Sequence, residues 1–129
     1  MPKLRLEKDD YSLKASIRGD DKAYFNAAVP REGTVVLQYV NKGSMPEGAG
    51  AHFITAALKG HRALPTRQLI LKNVINPESV SAFKTGVLPQ DTKVGRLAAS
   101  VLKQLGINPI DYRYEVLGDQ FNIIIETRR

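Results

Sequence analysis

The chain has no cysteine and no tryptophan among its 129 residues. Without thiols there are no disulfides, no thiol nucleophile and no thiolate metal site, and the cysteine zinc ligands of the nucleobase deaminases are missing. Histidine is scarce. His52 and His61 lie nine positions apart, neither has a carboxylate at ligand spacing, and neither HExxH nor DxD occurs, so metal-dependent hydrolysis is poorly served. The GxSxG elbow of serine hydrolases and the GK[ST] phosphate loop are also absent. No apolar run approaches the length needed to cross a bilayer, so no membrane span is expected. Residues 1–10 are charged rather than hydrophobic, which excludes a secretory signal in this stretch.

What is present describes a folded domain. The chain is 43% apolar and 25% charged, and it carries no repeat, low-complexity tract or break in composition, so a single domain over 1–129 is expected. Lys and Arg outnumber Asp and Glu by 19 to 13, a formal charge of +6. Such a field favours anionic partners: nucleic acid, an acidic protein or anionic lipid. Basic residues never run together except at Arg128-Arg129, so an unfolded basic tail is not the means of attraction.

The clearest local signal lies between Gln90 and Arg129. Val94, Leu97, Ala98, Val101, Leu102 and Leu105 form one stripe at helical period, with Asp91 or Thr92 as N-cap and Gly106 as the stop. A hairpin turning at Gly118-Asp119 then sets Val116 against Phe121, Glu115 against Asn122, Tyr114 against Ile123, Arg113 against Ile124 and Tyr112 against Ile125. Tyr112, Tyr114, Val116, Phe121, Ile123 and Ile125 share an apolar face fit to receive the helix. Arg113, Glu115, Asn122 and Glu126 gather on the other.

Upstream, alternation predicts strands at Leu4–Glu7, Leu13–Ile17, Ala23–Val29 and Thr34–Val40, the last apolar enough to be central and buried on both sides. Asp20–Ala28 is also compatible with a short helix. A turn-rich loop over 41–50 leads to a helix at Ala51–Leu58, broken by Pro65. A strand at Gln68–Val74 follows, and then a short helix opened by Asn76-Pro77 and stopped at Gly86. The order predicts an α+β domain: a mainly antiparallel sheet with helices packed on one face, its β-rich part about 1–47 and its helix-strand-helix-hairpin part about 48–129.

The chemistry left open by these absences is metal-independent acid–base work, for which no cofactor is needed. Cleaving RNA through its own 2′-hydroxyl requires an acid, a base and cations around the transition state. Glu115 with His61 or His52 can supply the proton transfers, and Arg113, Arg62, Lys59, Lys72, Lys93 and Arg96 the phosphate contacts, with no metal ligands. Thr85, Thr92 and Tyr114 are secondary candidates whose default roles are capping and packing. Gly48 and Gly50 ahead of a helix would let backbone N–H groups approach a phosphate, and a flexible start to the helix is the competing reading. A non-enzymatic adaptor that offers Lys93, Arg96, Ser100 and Lys103 to an acidic partner is the alternative function.

From about residue 48 to its end the chain resembles the C-terminal toxin domains of bacterial polymorphic toxins, delivered by secretion or cell contact. The carriers are Gly48 and Gly50 before the helix, Pro77 in its Asn-Pro-Glu cap, Thr92-x-x-Gly95, Leu105-Gly106 and Phe121-Asn122-Ile123 in the closing hairpin. The resemblance implies a small basic nuclease-like toxin without telling its target, acting in a bacterial cytoplasm after delivery from another cell and countered by an acidic immunity protein; it is the acid–base chemistry above that favours RNA over DNA. The resemblance carries over no catalytic residue.

Overall fold

The structure, a computed structural model, describes residues 4–8, 12–17, 20–42, 49–72, 77–118 and 120–128. In chain order the elements are β1 (Leu4–Lys8), β2 (Ser12–Ile17), β3 (Asp20–Arg31), β4 (Thr34–Lys42), α1 (Ala49–Gly60), β5 (Gln68–Leu71), α2 (Pro77–Lys84), a 3-10 turn at Pro89–Asp91, α3 (Lys93–Leu105), β6 (Asn108–Leu117) and β7 (Gln120–Arg128). The strands form one seven-stranded sheet in the order β1-β2-β3-β4-β5-β7-β6. Only β4 and β5 pair in parallel, joined by the crossover through α1. The architecture is α+β, mainly antiparallel, in a single domain.

Alternation along each strand builds one apolar face. Leu13 and Ala15 pair with Ala27 and Phe25, Ala27 with Leu37, Leu37 with Leu71, and Leu71 with Ile123, so all seven share a side of the sheet. Helices α1 and α3 bury Ile54, Leu58, Val101 and Leu102 in the same core, and the Phe25 and Phe53 rings meet edge to face at 5.4 Å. Each fully buried Leu, Ile or Phe contributes about 1.5–3 kcal/mol. On α2, Phe83 stacks on Phe121 at 5.3 Å and meets Tyr114 at 4.9 Å. Helices thus lie on one face, as the sequence predicts.

Residues 20–28 belong to β3, not to a helix, because both neighbouring strands hydrogen-bond to this stretch. β3 runs on through Pro30 to Arg31, beyond the predicted Val29, although its pairing is irregular between Ala28 and Arg31. β4 is central, and its Val35 and Leu37 face the helices, while Val36 is half-buried on the side that no described helix covers. β5 stops at Leu71, sooner than the predicted strand. Gly19, most of the 41–50 loop, Asn76 and Asp119 lie outside the described residues, and so does the predicted end of β5 at Val74.

The C-terminal part follows the sequence reading closely. Thr92, not Asp91, is the N-cap of α3: its Oγ1 accepts the Gly95 N–H at 2.9 Å and donates to the Pro89 carbonyl at 2.7 Å. Gly106 ends the helix at φ 72°, a left-handed conformation that costs glycine nothing. The β6–β7 hairpin has every predicted pair, from Val116 with Phe121 to Tyr112 with Ile125, and Gly118 supplies a positive φ of 59° at its turn.

Candidate functional site

Connectivity fixes which groups can meet. α1 leaves the carboxyl end of β4 and returns to the start of β5, and α3 ends at Gly106, just before β6 begins. Because β5 and β6 both run antiparallel to β7, they point the same way, so α1 and α3 are parallel to each other with their N-termini at the carboxyl ends of β4, β5 and β6. Gly50 at the start of α1 lies against Leu97 of α3; a Cβ there would sit 4.0 Å from Leu97 Cδ1.

At that end, among the described residues, the β5 ladders stop before those of β4 with β3 and of β7 with β6. Pairing of β4 with β5 stops at Leu37 and Leu71, closed by the Lys72 N–H on the Leu37 carbonyl at 2.9 Å. Beyond this point β4 continues to Lys42 on β3 alone among the described residues, and β7 continues from Asn122 to Gln120 on β6 alone. A register shift lies just there, as Asn26 and Ala27 of β3 oppose Tyr39 and Leu37 with Gln38 bulged between them. The connections after β4 and after β5 both pass over the helical face and toward the β6 edge, so it is the end of the short β5, not a reversal of the connections, that separates β4 from β7 here.

Cations outnumber carboxylates at this end, where Asp91 stands just before the Thr92 cap of α3 and Glu115 lies on the opposite face of the sheet. Neither α1 nor α3 has an acidic residue in its first turn, where a carboxylate would complement the dipole. The first turn of α3 carries exposed Lys93 and Arg96 instead, exposed His52 lies near the start of α1, and exposed Lys72 follows β5. The dipoles of α1 and α3 and the charges of Lys72, Lys93 and Arg96 all favour an anion at this end. Gly50 is not required by packing, since a Cβ would meet only an ordinary contact. Gly48 lies outside the described residues.

The other predicted site residues are dispersed. Lys59, His61 and Arg62 stand at the C-terminal end of α1, a helix of 12 residues and therefore about 18 Å long. His61 is buried, and Arg62 holds φ 55°, the left-handed conformation that terminates the helix. Arg62 is therefore a helix-ending residue at the end of α1 away from where β4 and β5 part. Glu115 is at the carboxyl end of β6 but on the sheet face away from the helices, while His52 belongs to the helical layer. The sheet separates Glu115 from His52, and the length of α1 adds to its separation from His61. The expected acid–base pair is not assembled.

The predicted polar face of the hairpin does form, and it is an ion-pair network. Arg113 Nη2 meets Glu126 Oε1 at 2.9 Å and Arg113 Nη1 meets Asp111 Oδ2 at 3.8 Å, while Gln68 Nε2 donates to Glu126 Oε1 at 2.7 Å. The Gln68 amide holds the Glu126 carboxyl below its ordinary range; burial opposes this, and the hydrogen bond and charge of Arg113 add to the lowering. Asn122 Nδ2 donates to Glu115 Oε1 at 3.4 Å. Arg113 is thus an ion-pair partner in this structure rather than a cation waiting for phosphate. Thr92 and Thr85 keep their default roles, Thr85 Oγ1 donating to the Ser81 carbonyl at 3.0 Å. The Tyr114 hydroxyl donates to the Val87 carbonyl at 2.6 Å, and burial, with the Asp91 charge second, pushes its pKa up.

No protein-family model matches the chain, and no curated protein matches it.

Proposed function

We propose that this domain binds a phosphate-bearing ligand of nucleotide size, a nucleotide or a nucleotide-containing coenzyme. Its phosphates lie over the N-terminal turn of α1, and the rest of the molecule lies along the gap where β4 and β5 part. The observation that carries the reading is that parting, at the end of the sheet where the first turns of two helices lack an acidic residue and Lys72, Lys93 and Arg96 are exposed. A helix N-terminus offers unpaired N–H donors and a partial positive charge, and the strand backbone beyond Leu37 offers further hydrogen-bonding groups to an extended, amide-bearing ligand.

Calorimetry of the full chain with ADP, NAD, coenzyme A and pyrophosphate tests this. At least one nucleotide is expected to bind, and the double variant Lys93→Ala/Arg96→Ala should weaken it by about tenfold, from two lost phosphate contacts. Lys59→Ala/Arg62→Ala, at the far end of α1, should leave the affinity within about twofold. Equal losses in the two doubles, or no heat with any of the four ligands, would remove the site.

A nucleic-acid-directed toxin domain, a metal-independent ribonuclease, is the second reading, favoured by the +6 charge and the resemblance of the C-terminal two-thirds. It would use the same cations on RNA phosphates but would need an acid and a base other than the separated Glu115 and histidines. RNA cleavage that survives EDTA would favour it over the coenzyme reading. Binding of RNA without cleavage would favour the adaptor built on Lys93, Arg96 and Lys103.

A further inference from the structure

β6 is an edge of the sheet, and among the described residues it pairs with β7 alone. Edge strands are commonly short, charged or covered, because their unpaired N–H and C=O groups are a template for another strand. This edge is 10 residues long, and Ile110, Val116 and Leu117 on it are 57%, 52% and 60% exposed. The remaining large apolar side chains exposed among the described residues, Val87 and Leu88, lie beside it, since Tyr114 of β6 holds the Val87 carbonyl. The exposed apolar surface of the described residues is therefore gathered at one edge.

The charges along β6 select what can add there. Its regular pairing breaks between Pro109 and Asp111, which leaves Asp111 to Leu117 as the usable edge, with Tyr114 at its midpoint. A second β6 laid antiparallel about that midpoint sets Tyr114 opposite Tyr114, Arg113 opposite Glu115 of the second copy and Tyr112 opposite its Val116. By the two-fold symmetry each of the last two pairs occurs twice. Side chains stay on their own faces, so Val116 is covered by a tyrosine and both Arg113–Glu115 pairs are of opposite sign. Neighbouring alignments fail. Centring on Arg113 opposes two arginines and sets Asp111 against Glu115, and centring on Tyr112 brings Pro109 and the irregular Ile110 into the ladder.

We propose that a second copy of this chain adds to β6 in the Tyr114-centred register, making one continuous sheet across a two-fold axis. Sedimentation velocity of the full chain from about 5 to about 200 µM should show a dimer, and Val116→Lys should weaken it by at least about tenfold. Since the chain has no cysteine, single cysteines report the register. Tyr114→Cys on the axis brings two Cα atoms to about 4.5–5.5 Å, within disulfide range, whereas two Val116→Cys positions lie about 13 Å apart along the strands. Tyr114 also packs on Phe83 and Phe121, so an equimolar mixture of Arg113→Cys and Glu115→Cys provides an independent reading: it should cross-link on mild oxidation far faster than either variant alone. A monomer throughout the concentration range overturns the proposal. So does a dimer that links through Val116→Cys, or one whose Arg113→Cys and Glu115→Cys mixture stays unlinked.

Discussion

Val101→Asp should strip away a large share of the domain's stability. Val101 is fully buried on α3, within the apolar core that contains Leu102, Ile54 and Ile123, and nothing in that cluster can pair with a carboxylate. Burying the charge, or forcing α3 off the sheet to hydrate it, costs about 4 kcal/mol or more. A domain of this size commonly has about 5–15 kcal/mol in total. Leu97→Asp should do less harm, since Leu97 is only half-buried, and Lys103→Ala, on the exposed side of the same helix, should stay within about 0.5 kcal/mol. Thermal and urea melts decide it, and an aspartate variant at position 101 that melts with the parent would end the organising role given to α3.

Gly95→Ala is the second large effect, and it reverses the usual preference for alanine in a helix. A Cβ on Gly95 would lie 1.9 Å from the Pro89 carbonyl oxygen and 3.0 Å from Thr92 Oγ1. The nearer atom is backbone, so a rotamer change cannot relieve the clash. The 3-10 turn would have to move away, breaking the Thr92 bonds to Pro89 and to Gly95 that start the helix. Overpacking and cap loss together should cost about 3 kcal/mol. Gly50→Ala is the control: its Cβ meets only Leu97 Cδ1 at 4.0 Å, so the gain in helix propensity should leave it neutral or up to about 1 kcal/mol more stable. Equal melting temperatures for Gly95→Ala and the parent would refute the close approach of Pro89.

These contrasts mark what was legible in the sequence. The α3 stripe, its Gly106 stop and all the hairpin pairs were readable because each depends on residues within a few turns of one another. The parallel pairing of β4 with β5, and the insertion of β7 between β5 and β6, join residues far apart in the chain, and local periodicity carries no trace of them. The same limit misplaced the candidate site. Glu115 and the histidines were grouped by their chemistry, but strand alternation turns Glu115 away from the helical layer and the length of α1 carries His61 to the other end. One signal was present and passed over: no Asp or Glu stands in the first turn of α1 or α3, and two cations occupy that of α3.

The four residues of β5 also set the order of assembly. Every other strand pairs with a close neighbour in the chain, β1 to β4 as a meander and β6 with β7 as a hairpin. Gln68, by contrast, reaches Glu126, 58 positions away. Closing that long loop is rewarded only once both ladders exist, so β5 should dock late, after the rate-limiting barrier. Substitutions in β5 would then act on unfolding: Leu69→Ala should speed it many-fold while refolding keeps nearly its parental rate. Stopped-flow chevrons would show this as a shift of the unfolding limb alone, and a matching fall in the refolding limb would place β5 in the folding nucleus instead.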